Sequence, residues 1–110
     1  MIASDYRYMR VMIFFDLPTS ENVDIKNYTR FRKYLLNNGY IMMQFSIYSK
    51  VFPNRDTVKW HIQDLKKNLP PDGSIMCLQV TEKQYQSIVH LVGSKRALDS
   101  KITSDKLLLF

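Results

Sequence analysis

YMRVMIFFDLP, residues Tyr8 to Pro18, is an almost unbroken apolar run that ends by delivering one carboxylate, Asp16. Runs of this length, rich in β-branched and aromatic residues, read as strands buried on both faces. Pro18 cannot extend a hydrogen-bonded ladder, so Asp16 falls where the strand stops and a loop begins. A carboxylate at such an edge either satisfies nearby backbone donors or faces a ligand. The choice separates a structural residue from a reactive one.

Downstream, Asn22 to Asp24 offer helix caps, and Ile25, Tyr28, Phe31, Leu35 and Leu36 recur at helical spacing until Gly39. Tyr40 to Phe52 alternates as an extended segment. It is long for one strand, so a bend or a hairpin is expected, with no Gly or Asn to mark the turn. Pro53-Asn54 starts a second helix with Val58, Ile62, Leu65 and Leu69 as its buried stripe, and Pro70-Pro71 ends it. Asp72-Gly73 turns the chain into a third extended run, Ser74 to Val80. Thr81 to Gln84 fits a capping box, and Ile88 to Val92 reads as a further strand. This order, β-α-β(β)-α-β, predicts an α/β fold of the ferredoxin-like sandwich type with an added C-terminal strand. Residues 1–92 form the expected domain. Residues 93–110 form a flexible tail ending in the apolar Leu107, Leu108, Leu109 and Phe110.

Alternation places Met9, Val11, Ile13 and Phe15 on one face of the first strand and Arg10, Met12, Phe14 and Asp16 on the other. Helices of such a fold cover one face only. The second face is expected to gather Met12, Phe14, Met42, Gln44, Ser46, Tyr48, Ile75 and Cys77, too apolar for water and too polar for a dry core. A second copy covering it in a two-fold homodimer is the economical expectation. Leu107 to Phe110 would then either add an edge strand to the partner or pack on their own chain.

The 110-residue chain carries 16 basic against 10 acidic side chains, a net charge of +6. That balance favours a polyanionic partner, nucleic acid ahead of an anionic membrane. No apolar stretch reaches the roughly 18 residues of a membrane span, and the N-terminus lacks a signal-peptide core, so a cytoplasmic protein is expected. Cys77 is the single cysteine, which excludes an intrachain disulfide and reads as a buried thiol. Lys26, Arg30 and Lys33 line one helix face, with Arg32 nearby. Together with Arg7 and Arg10 they either form an ordinary solvated surface or track a phosphate backbone. His61 and His90 stand without metal-ligand spacing, and Ser46 without a nucleophile motif. Trp60 falls off its helix's buried stripe and is expected to be partly exposed. Asp16 alone is a poor metal site, since hard cations want several oxygen ligands; two copies across a dimer axis would remedy that.

A strand ending in Phe15-Asp16, a basic helix, and the run from Gly39 to Tyr48 with Gln44, Ser46 and Tyr48 at alternate positions resemble the second of the CRISPR-associated proteins. The likeness covers roughly residues 8 to 92 and is closest to type II-A versions, through SKVFPN and TEKQ. It implies a homodimer that bridges dimers of the CRISPR integrase subunit and holds duplex DNA for spacer acquisition. It also implies an alternative activity, a Mg²⁺-dependent endonuclease acting on RNA or DNA. Asp16 takes the family's catalytic and metal position, and Arg30 matches a helix arginine associated with nucleic acid. Tyr28 and Met42 replace basic residues found in some members, and Tyr48 replaces the usual phenylalanine. These departures weigh against nuclease activity more than against DNA scaffolding. A regulatory ferredoxin-like dimer binding a small ligand is the third reading.

Overall fold

A computed structural model describes residues 8–93. The expectations for Arg7, for Leu107 to Phe110 and for most of the C-terminal tail lie outside these residues. Four antiparallel strands, β1 (Met9–Asp16), β2 (Ile41–Gln44), β3 (Ile47–Phe52) and β4 (Ser74–Thr81), form one sheet in the order β2-β3-β1-β4. Helices α1 (Asn22–Asn37) and α2 (Arg55–Lys66) connect β1 to β2 and β3 to β4, and a short α3 (Glu82–Gln86) follows. This is the expected ferredoxin-like topology. No described helix is long and apolar enough to cross a membrane.

The apolar run becomes the central strand because its alternate residues meet both helices. Met9, Val11, Ile13 and Phe15 pack with Phe31 and Leu35 of α1, Val58 and Leu65 of α2, and Tyr40, Tyr48 and Phe52. Of the expected α1 stripe, Phe31 and Leu35 are buried, whereas Ile25 and Leu36 are exposed. On α2, Val58 and Leu65 are buried, but Leu69 lies beyond the helix end and is exposed.

Local chemistry fixes the helix ends. Glu21 is the N-cap of α1, and its N–H donates to Asp24 Oδ2 at 3.2 Å, so Asp24 closes the first turn from inside it. At the other end, Tyr40 N–H reaches Leu35 O and Gly39 N–H reaches Leu36 O, with Gly39 at φ +89°. This is a Schellman closure that only glycine enters without strain. Asn54 Oδ1 accepts from Thr57 N–H at 2.9 Å to cap α2. The capping box at Thr81 and Gln84 forms as expected.

The segment Tyr40 to Phe52 resolves into a hairpin. Phe45 and Ser46 make the turn, Ser46 at φ +66°, and the β2–β3 register shifts between Met42 and Gln44. A serine, with no Gly or Asn beside it, carries the left-handed turn conformation.

Pairing corrects the expected second face. Ile13 lies opposite both Tyr48 and Cys77, Phe15 opposite Ile75, and Met42 opposite Tyr48. Directly opposed residues share a face, so Tyr48, Cys77, Ile75 and Met42 lie on the helix side. The open side carries Met12 with Ser49 and Leu78, Phe14 with Ile47 and Met76, and Arg10 with Val51 and Val80. Cys77 is exposed rather than buried, because β4 is an edge strand.

Ile88 to Val92 is not a strand. The segment lies over the open face, where a hollow of about 420 Å³ separates it from Met12, Phe14, Met43, Gln44 and Ile47. Ile88 is half-buried, whereas Val89, Leu91 and Val92 stay in solvent, Leu91 and Val92 each 91% exposed.

Candidate functional site

Asp16 ends β1 opposite Ser74, and its side chain is exposed. Turns border it on both sides. Phe15 N–H donates to Ser46 O at 3.0 Å, tying the hairpin tip to the strand end. On the other side Gly73, at φ +101°, comes so close that a Cβ there would lie 2.9 Å from Asp16 O. Glycine is required at that contact. Among the described residues the Asp16 carboxylate has no hydrogen-bond or ion-pair partner. Its geometry therefore departs from that of a loop-capping aspartate.

The described residues contain no group of three or more His, Cys, Asp or Glu side chains able to hold a metal. Among the described residues, Asp16 is therefore not part of such a group. Gln44 is exposed at the end of β2, and Ser46 acts through its backbone rather than as a nucleophile.

Lys26, Arg30 and Lys33 are exposed on α1, without an ion pair among the described residues. Arg32 is exposed on the flank of the helix, and its Nε donates to Tyr48 Oη at 2.9 Å. Tyr48 itself is buried, with its ring stacked on Phe15 at 5.6 Å between centroids. Desolvation pushes the Tyr48 hydroxyl above its ordinary pKa, the Arg32 charge and hydrogen bond pull it down, and nearby Tyr28 pushes it up; the net direction is upward.

Arg10 is engaged differently. Its Nε and Nη2 donate to the two Glu82 carboxylate oxygens at 3.0 and 2.8 Å, and its guanidinium lies 3.9 Å from the centre of the Tyr85 ring. Burial pushes the Glu82 carboxyl up, but the bonds from Arg10 and Gln86 and the Arg10 charge outweigh it, leaving the pKa below its ordinary value. A bidentate pair capped by an aromatic ring leaves little of Arg10 for a phosphate. Its carboxylate partner was not legible as such, being 72 residues away in sequence.

His61 is structural, as expected. Its Nε2 meets Tyr40 Oη at 2.7 Å and its ring packs on Phe52. Burial raises the Tyr40 pKa, with the Cys77 and Tyr34 charges adding to it, so the phenol keeps its proton. The tautomer of His61 sets which of the two groups donates. Trp60 is 67% exposed on the outer side of α2.

The sequence matches the family described as CRISPR associated protein Cas2 over residues 9–88. A CRISPR-associated endoribonuclease Cas2 from Acidovorax ebreus is 43% identical, over 93% of this chain and 100% of its own length. One from Streptococcus mutans serotype c is 43% identical over 93% of this chain and 92% of its own, in keeping with the type II-A likeness. One from Flavobacterium psychrophilum is 35% identical over 97% and 92%. A solved structure described as a crystal structure of cas2 superposes with a TM-score of 0.56 at 20% identity, over 79% of this chain and 88% of that one, a likeness of fold. The chain belongs to the CRISPR-associated protein Cas2 family.

Proposed function

We propose that the protein acts in CRISPR adaptation as a homodimer that bridges integrase dimers and holds duplex DNA for spacer acquisition. One observation carries this reading: a sheet with both helices on one side leaves Met76, Leu78 and Val51 exposed on the other. An apolar sheet face of this kind calls for a second protein surface, and a self-complementary one is the commonest solution. Dimerisation would set two copies of the basic α1 face on one particle, with Lys26, Arg30 and Lys33 available to phosphates of a shared duplex.

Binding of labelled duplex DNA, measured at stepped salt concentrations, tests the reading. Reversing Arg30 and Lys33 to Glu should weaken binding and reduce the salt slope by about 1.8, the value for two lost phosphate contacts. An unchanged slope would remove α1 from the interface. A sedimentation experiment on the same samples reads the dimer directly.

A second reading, Mg²⁺-dependent phosphodiester cleavage, is favoured by the unengaged Asp16 carboxylate and by the naming of relatives as endoribonucleases. The described residues of one chain do not supply the oxygen ligands that a hard cation needs; two Asp16 side chains brought together in a dimer would begin to. Such a cation would supply charge neutralisation at the phosphate. Cleavage of RNA and duplex DNA by wild type and by Asp16→Ala, with the variant shown to remain a folded dimer, separates the readings. Equal activity, or none, returns Asp16 to a structural role.

A further inference from the structure

We propose that Arg32, held in place by Tyr48, forms a phosphodiester-binding fork on the flank of α1, with Tyr48 as its positioning residue. This rests on the duplex-binding reading above and names a contact within it.

Among the described residues, Arg10 and Arg32 are held by partners within the chain, and the partners differ in charge. Arg10 gives its Nε–Nη2 edge to the Glu82 carboxylate, so its charge is matched. Arg32 gives only Nε, to a phenol oxygen. Tyr48 is 1% exposed, and its raised pKa keeps the hydroxyl protonated and neutral. The Arg32 charge is therefore held but not compensated, and among the described residues it has no ion pair.

The geometry then determines which part of the guanidinium is free. Donation through Nε closes the side-on fork and leaves the end-on pair, Nη1 and Nη2, each with its hydrogens facing outward. Two parallel N–H donors on a rigid plane match two non-bridging oxygens of a phosphodiester. An unrestrained arginine loses side-chain entropy when it forms such a contact. Arg32 has lost part of it already, because its Nε is bonded to Tyr48, whose buried ring stacks on Phe15.

Position supports the assignment. Arg32 lies between the buried Phe31 and Leu35 side and solvent, about 100° around the helix from Lys33 of the outer stripe. A duplex resting on that stripe would pass its flank.

The experiment is a double-mutant cycle on binding of labelled duplex DNA across a salt series, using Arg32→Ala, Tyr48→Phe and the pair together, with Arg32→Lys and Arg30→Ala alongside. Arg32→Ala should weaken binding roughly three- to tenfold and lower the salt slope by about 0.9, one phosphate contact. Tyr48→Phe should weaken it about two- to fivefold in the wild-type background and not at all when Arg32 is already alanine. Arg32→Lys, which keeps the charge but loses the fork, should fall nearly as far as alanine. If Arg32→Lys binds like wild type, or Tyr48→Phe acts equally in both backgrounds, positioning by Tyr48 is overturned. If Arg32→Ala binds like wild type while Arg30→Ala does not, the fork is overturned and duplex binding stands. If wild type itself shows no salt-dependent binding, the underlying reading fails.

Discussion

The two faces of the sheet are made from the same strands and end in opposite physical states. On the helix side, Val11, Ile13 and Leu35 are 0% exposed, and the polar groups that enter find partners, as Tyr48 does with Arg32 and Tyr40 with His61. On the open side, Met76 is 63% exposed and Leu78 49%, the covering segment leaves a hollow, and the buried Ser49 hydroxyl has no partner among the described residues. The difference teaches that the helices complete a core on one side only. Stability resides in the closed face, and the open face is the one proposed above to associate.

Substitution of the closed face should have the largest effect. Phe31→Ala removes a 1% exposed ring packed edge-on against Phe15 at 5.3 Å, and should cost about 3–5 kcal/mol in urea unfolding. Met76→Ser on the open face should cost less than about 1 kcal/mol when the chain is dilute, and should appear instead as loss of dimer on dilution. Comparable losses in dilute samples would break the contrast between the faces.

Acid should separate the faces next, each in its own window. On the closed face His61 is held neutral, its pKa lowered by burial and by Lys50 against an opposing pull from Asp64. The unfolded chain takes up that proton first, so stability falls as pH drops below the ordinary histidine value and levels off beneath the lowered one. On the open face Glu82 is held ionised by Arg10, so its contribution is full above the ordinary glutamate value and is lost as pH falls through its depressed pKa. Both groups are solvent-accessible enough to limit each effect to under about 1 kcal/mol. His61→Gln should flatten the upper limb and leave the lower, and Arg10→Ala should do the reverse. Urea midpoints measured from pH 8 to pH 3 read both.

The smallest change sharpens the contrast from the other direction. Ser49→Ala removes a buried hydroxyl that lacks a partner, and should leave stability unchanged or raise it by up to about 1 kcal/mol. A loss would mean that the hydroxyl is bonded in solution. Thermal unfolding resolves either sign.

Much of this architecture was legible from residues 8 to 18, because a run apolar at every other position and nearly so between needs a central place in a sheet. Caps at Asn54, Gly39 and Thr81 were readable from local chemistry alone. The faces of β3 and β4 were not. Alternation assigns residues to two sets but does not say which set meets the helices, and that required the pairing of Tyr48 with Ile13. Ile88 to Val92 was misread on composition: the residues suit a strand, but the segment lies over the open sheet face without pairing to a strand. At the candidate site, Asp16 and the α1 stripe were found from sequence, while Glu82 behind Arg10 and Gly73 beside Asp16 were hidden by distance along the chain. Glycine after Asp72 signalled only a turn.

Trp60 has one more consequence. It is the single tryptophan of the chain, and solvent already surrounds most of its indole in the native fold. Its emission is therefore relaxed toward that of an unfolded chain before any denaturant is added, and melting the core will shift it little. Backbone ellipticity follows unfolding better. The same indole becomes a built-in light meter for the outer surface of α2, silent while the interior comes apart and responsive when another molecule settles on that helix.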